Sequence, residues 1–387
     1  MRGVKQGVTA LVRAATWALI ATAMVLSLFW GALQGWILPR IDSYRPALQV
    51  IASEVLGIPV QIGALRAGSG GLVPSVEVVN LQLLDPLGRP ALQLPRIQVA
   101  LSVQSVLRLG FDQLVLDGPE LDVRRDTEGR IFLAGIDPSG GGEDTGLANW
   151  FLSQREVVVR GGRIRWTDEL RGAEPLVLSG VDLVIRNRAR RHELRLTASP
   201  PAGWGDRFTL IGQFRRPLLS RQASNRADWD GQIFGEFPRA DISRLHRHLT
   251  LDVQVRQGYG AVRFWGDVVE GQPTGLAADL ALARATVQLA PELDSLALQS
   301  VTGRVVGRTL AGGFEFQTRN LQFETSDGLV WPGGNVHLVY QAGEGKKPTL
   351  GEFHADRLDL AVLGQLASRL PLGTSTHAML AKHPASG

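Results

Sequence analysis

The sequence predicts a mainly β body behind one N-terminal transmembrane helix, and three observations carry that prediction. A run from Ala14 to Pro39 contains no charged residue. After Gly57 the chain settles into a period of two, apolar alternating with polar, which is the signature of strands with one apolar face. Glycine and proline are abundant, at 45 and 20 residues, and recur between the alternating segments where turns need them.

The uncharged run is the first element. Arg2, Lys5 and Arg13 precede it, and its core TWALIATAMVLSLFWGALQGWIL exceeds the ~20 residues that cross ~30 Å of hydrocarbon. Trp30 and Trp36 stand near its far end, where indole rings favour the interface. We assign the span to Ala14 to Leu38, with residues 1–40 forming a cytoplasmic N-terminus plus anchor. The positive flank keeps the N-terminus in the cytoplasm and sends the rest across. A cleaved signal peptide is the competing reading, since Ala21-Thr22-Ala23 has the small residues of a cleavage site. The apolar run continues well past that point, and signal h-regions stop at about 7–15 residues. Gly31 and Gly35 form one G-x-x-x-G, a spacing that ordinary membrane helices also carry.

Residues 41–57 read as an amphipathic helix, with Leu48, Ile51, Val55 and Leu56 on one face and Gly57 as its stop. Residues 58–387 form the exported body. Alternation is plain in Val76-Glu77-Val78, Leu121-Asp122-Val123, Ile164-Arg165-Trp166, Val181-Asp182-Leu183, Leu194-Arg195-Leu196, Leu249–Val255 and Phe314-Glu315-Phe316. Turns are expected at Asp117-Gly118-Pro119, Glu128-Gly129, Gly161-Gly162, Gly312-Gly313 and Pro332-Gly333-Gly334, and a loop or hinge at Gly140-Gly141-Gly142. Short helices are expected over Thr145–Gln154, over Asp241–His248 behind an acidic cap, and over Leu358–Leu370 up to Pro371. A sandwich of this length would divide into modules of ~100–150 residues with linkers, and none is visible.

Composition narrows the chemistry. The absence of cysteine excludes disulfides, cysteine-ligated metals and thiol catalysis. Net charge is +4, but lysine occurs only at Lys5, Lys346, Lys347 and Lys382, and the arginines are dispersed among acids. The one dense group, Arg186, Arg188, Arg190, Arg191 and Arg195, has no interleaved aromatic residues to stack bases, so it reads first as a solvated hairpin turn, second as an anionic-headgroup contact and only third as a nucleic-acid site. His192-Glu193 begins a zinc motif that fails at Leu196; Gly68-Ser69-Gly70 lacks the third glycine of a dinucleotide loop; Gly345-Lys346 lacks the Ser or Thr of a P-loop. His246 and His248, beside Arg244 and Arg247, read as surface histidines before metal ligands. Nothing nominates an enzyme or a cofactor.

A resemblance adds to this reading. The helix ending Leu56-Gly57-Ile58-Pro59-Val60-Gln61-Ile62-Gly63, the segment Gly71–Val78 and the segment Leu109–Asp126 are similar to the start of AsmA-like proteins. Trp150–Gln154, Trp166-Thr167-Asp168 and His192–Leu196 resemble the YhdP branch of that family. The resemblance implies an elongated, curved, mostly antiparallel β-groove with few helices, anchored in the inner membrane and carrying phospholipid through the periplasm towards the outer membrane. It also implies that this chain is an N-terminal fragment of something longer, its body incomplete at the C-terminus. Partners would be phospholipids, the inner membrane, and outer-membrane or envelope proteins. The groove-lining residues would be Leu114, Leu116, Leu121, Val123, Ile164, Trp166, Val181, Leu183, Leu194 and Leu196, with Asp122, Arg165 and Asp182 pointing the other way. The alternative is an envelope assembly or scaffold factor that acts on outer-membrane biogenesis without carrying lipid.

Overall fold

A computed structural model describes residues 2–32, 35–36, 38–56, 59–68, 75–84, 90–100, 111–133, 154–188, 190–217, 229–248, 253–343, 350–357 and 359–370. The expected helix over 145–153, the glycines at 140–142, the strand start at 249–252 and the stop at Pro371 lie outside those residues. The chain divides into two compact units, Met1–Leu114 and Val115–Gly387.

The first unit opens with helix α1, Arg2–Ala32. Within the uncharged run, Gly35 and Trp36 are again helical, as part of a π turn; residues 33, 34 and 37 lie outside the described residues. Leu38–Tyr44 forms a 3₁₀ helix, and α2 follows at Arg45–Leu56. Pro39 disfavours the α conformation at Leu38, where the 3₁₀ helix begins, and Pro46 sits in the first turn of α2, where the missing N–H costs nothing. The single helix expected over residues 41–57 is thus two. Among the described residues no helix is long and apolar enough to cross a membrane. The side chains of Leu26, Phe29 and Trp30 within α1 lie outside the described residues.

Strands β1 (Val60–Gly68), β2 (Ser75–Leu84) and β3 (Pro90–Ala100) form an antiparallel meander. Its core is Val60, Ile62, Leu65 and Leu83, against which Ile41 and Ala52 pack. Side chains stitch the helices to β1. Asp42 accepts from Leu65 N at 2.9 Å, Ser53 Oγ accepts from Val60 N at 2.9 Å, and Arg45 donates to Gly63 O at 2.6 Å. Leu48 and Ile51 of α2 face away from this core and are exposed.

The second unit is built on strands. They are β4 (Gln113–Asp117), which begins in the first unit, β5 (Glu120–Arg125), β6 (Ile131–Leu133), β7 (Glu156–Asp168), β8 (Ala173–Arg188), β9 (Arg191–Ser199) and β10 (Phe208–Arg215). There follow β11 (Asp230–Asp241), β12 (Gln254–Val269), β13 (Gln272–Gln288), β14 (Leu296–Leu310), β15 (Gly313–Thr325), β16 (Val330–Trp331), β17 (Val336–Gln341) and β18 (Leu350–Ala355). From β7 to β15 every strand pairs antiparallel with the next, and β17 and β18 extend the ladder. The exception is β5, which lies parallel to β7. Alternation cannot foretell that, because a parallel pair needs only the same period of two.

Two local details show how the sequence makes these strands. Glu270 and Gly271 both have positive φ, 50° and 70°, which is the two-residue turn that matches strand twist and joins β12 to β13. Gly161-Gly162, expected as a turn, lies inside β7. Gly161 takes φ 61° in a bulge opposite β8, and Asp182 Oδ1 accepts from its N–H at 2.9 Å. The arginine group does form a hairpin, with Arg188 opposite Arg191. Helix α3, Ile242–His246, is capped by Asp241, and α4, Leu360–Leu366, by Asp359.

Candidate functional site

Ladder partners of antiparallel strands point the same way, so the pairings sort side chains into two faces. Ile164, Leu178, Val181, Leu183 and Ile185 share one face of β7 and β8. Leu183 lies opposite Leu196, which lies opposite Leu210, and Ile185 opposite Leu194. The same face continues through Ile233 and Phe237 to Phe264, then Ala278 and Val305. It ends in Phe316, Leu338 and Phe353. Through the parallel pair, Leu121 and Val123 join it opposite Ile164 and Trp166. One face from β5 to β18 is therefore almost wholly apolar.

The other face is built of charges. Asp122–Arg165, Glu156–Arg186, Glu236–Arg263 and Asp279–Arg304 sit directly opposite one another across neighbouring strands. Their closest N···O distances are 3.5, 2.8, 3.7 and 2.5 Å. Asp182 pairs with Arg207 at 2.6 Å. Exposed pairs of this kind add at most about 1 kcal/mol each, but they keep the face wet and fix the register. The hydrogen bond from Arg304, ahead of its charge, holds the Asp279 carboxyl below the ordinary range.

The apolar face is not covered uniformly. Val181, Ala198 and Phe208 form a buried cluster with Ile164, Leu196, Leu210 and Phe237 against it. Helix α4 closes another part, where Leu366 is wholly buried against Ala285, Leu296, Leu298 and Val301. Between β13 and β18 the face stays open: Phe316 is 38% and Phe353 58% exposed, and Leu276, Phe314 and Tyr340 lie between them in exposure.

At the end of the strands near α3 a buried ion network borders this face. Asp168, 1% exposed, accepts from Arg125 Nε at 2.9 Å and from Arg171 Nη1 at 3.3 Å, while Arg125 lies over the Trp166 ring. Burial pushes the Asp168 carboxyl up, but the hydrogen bonds and charges of the arginines prevail and hold it below the ordinary range. Near it, the ring of His248 packs on Trp204, and burial lowers its pKa. Among the described residues no three His, Asp or Glu side chains gather to hold a metal ion, and the side chain of His246 lies outside them.

The whole sequence, residues 1–387, matches the family described as YhdP protein. The chain belongs to the YhdP family. No curated protein and no solved structure matches it. The apolar face thus belongs to a member of the YhdP family, in which a lipid-related or envelope role is the natural frame.

Of the ten residues named from the sequence as groove lining, eight share the apolar face: Leu121, Val123, Ile164, Trp166, Val181, Leu183, Leu194 and Leu196. The other two lie on β4, where Leu114 and Val115 are both buried, so alternation does not divide that strand into two faces. Sequence reasoning passed over the open residues Leu276, Phe316 and Phe353, and the half-buried Leu338 between the last two. Phe314-Glu315-Phe316 and Val336-His337-Leu338 carry the same alternating signal. What no sequence pattern reveals is which stretch of the face a helix covers.

Proposed function

We propose that this chain is an inner-membrane-anchored phospholipid carrier of the periplasm, non-catalytic, whose curved apolar face holds acyl chains on their way towards the outer membrane. The observation that carries this reading is a single face, from β5 to β18, lined by aliphatic and aromatic side chains and left open over its last strands. Moving an acyl chain through water costs ~0.8 kcal/mol per CH₂, so two chains amount to tens of kcal/mol. A continuous apolar surface removes that cost and needs no catalytic group. Large open apolar patches on a protein surface mark binding sites.

The anchor belongs to the same reading. Trp17, Leu19, Ile20, Met24, Val25 and Leu28 of α1 are all exposed, with no protein core against them. In the proposal they face lipid, with Arg2, Lys5 and Arg13 on the cytoplasmic side. A reporter active only outside the cytoplasm, fused after Gly63, should work, and the chain should stay with membranes in carbonate washes.

The deciding experiment is mass spectrometry of lipid co-purifying with the full chain. Phospholipid retained in defined ratio to protein supports the carrier. A lipid-free chain would favour the assembly-factor alternative, to which the closed cluster around Val181 lends its one specific support.

A further inference from the structure

The hairpin end of the apolar face carries a polar cluster that acyl binding does not use. His192 begins β9, two positions before Leu194 on the same face, and lies opposite Phe214 of β10. Trp229, just before β11, stacks on it with ring centroids 4.5 Å apart and planes within 4°, and also leans on Phe214 at 5.6 Å. Both are nine-tenths or more buried, His192 at 5% and Trp229 at 9% exposure. Arg216 follows β10 and extends the ladder by donating its N–H to Arg190 O at 2.9 Å.

Among the described residues, three buried polar atoms in this patch have no partner: His192 Nε2, Trp229 Nε1 and Arg216 Nε. Buried polar groups in native proteins nearly always have partners, and three without one in a single patch ask for an occupant. The network fixes the polarity of each. Asn187 Nδ2 donates to Gln154 O at 2.8 Å, which leaves Asn187 Oδ1 to accept from His192 Nδ1, also at 2.8 Å. The neutral ring therefore offers a lone pair at Nε2, and burial followed by the charge of Arg216 favours that neutral form. Trp229 and Arg216 offer N–H donors. The patch presents two donors and one acceptor at the border of an apolar surface.

We propose that His192, Trp229 and Arg216 form a headgroup subsite for a phosphodiester lipid that carries its own hydrogen-bond donor. Trp229 Nε1–H and Arg216 Nε–H donate to phosphate oxygens. His192 Nε2 accepts from the ammonium or hydroxyl of the headgroup, while the acyl chains run along the half-buried Leu194, Leu196 and Leu210, over the closed cluster beneath them. This rests on the acyl-binding reading of the adjoining face. A quaternary ammonium headgroup offers the phosphate but no donor, and fits less well.

The test uses the full chain in mixed micelles of three phospholipids with identical acyl chains and ethanolamine, glycerol or choline headgroups. The protein is re-isolated and its lipid counted by mass spectrometry. The ethanolamine lipid, the glycerol lipid or both should be enriched over the choline lipid about three- to tenfold, the worth of one hydrogen bond. His192→Phe keeps a ring for Trp229 to stack on and should bring that ratio to near one, with total lipid within about twofold. Trp229→Phe should lower capture of all three together, with the ratio kept. Bound lipid without headgroup preference, or a preference that survives His192→Phe, overturns the subsite and leaves the carrier standing. No lipid of any kind on the unaltered chain overturns the carrier itself. Where His192→Phe fails to fold, Trp229→Phe carries the assignment, since total capture that it leaves unchanged overturns the subsite.

Discussion

The two halves of the apolar face behave differently, although one alternating pattern produces both. Across β7 to β11 the side chains pack on each other: Val181 is 2% exposed, and Ala198 and Phe208 are buried with it. Across β15 to β18 the cover is thinner, and Phe316, Tyr340 and Phe353 stand open, Tyr340 touching only the Phe314 ring among the aromatic contacts of the described residues. Alternation decides which way a side chain points; only neighbours decide whether water or a ligand can reach it. The closed half contributes stability and the open half offers surface. A carrier needs both, because a face that collapses on itself along its whole length has no room for a guest.

The sharpest way to break this comparison is to place the same charge in each half. Val181→Asp buries an unpaired carboxylate and should destabilise the body by about 4 kcal/mol, read as a large fall in the thermal midpoint. Phe316→Asp, already open to water, should cost within about 1 kcal/mol while lowering lipid capture. Equal losses at the two positions would mean that the halves do not differ.

Next comes the rim network. Asp168→Asn leaves Arg125 and Arg171 without their shared carboxylate and should cost about 2–3 kcal/mol in chemical denaturation. Asp122→Asn, on an exposed pair of the charged face, should stay within about 0.5 kcal/mol.

The smallest effect concerns pH. His192 and His248 both have pKa values lowered by burial, so the folded state disfavours their charged forms. The stability gained by keeping them neutral is fully present above the unfolded histidine value of about 6.5 and is lost as pH falls below it. Thermal midpoints taken between pH 7.5 and pH 5.5 should fall, and His192→Phe should flatten the slope.

Much of this architecture was legible in the residues. Leu121-Asp122-Val123 and Val181-Asp182-Leu183 point as alternation says they must, and the helix expected behind an acidic cap begins at Asp241. What stayed hidden has physical reasons. Gly161-Gly162 reads equally as a turn or a bulge, since both need positive φ, and only the continuing partner strand distinguishes them. The 3₁₀ turn that begins at Leu38 reflects Pro39 next to it, which a hydropathy run does not register. The cluster of His192, Phe214, Trp229 and Arg216 joins residues from β9, β10 and the approach to β11, and no local motif holds them together.

The central claim is that acyl chains lie on the apolar face and not on the charged one. A photo-crosslinking residue introduced singly in place of Phe316, Leu183, Asp122 or Gln317 tests it in cells, with captured lipid identified by mass spectrometry. The account predicts phospholipid on Phe316 and, more weakly, on Leu183, with none on Asp122 or on Gln317, which neighbours Phe316 on the opposite face. Capture on neither face, or equal capture on both, would contradict it.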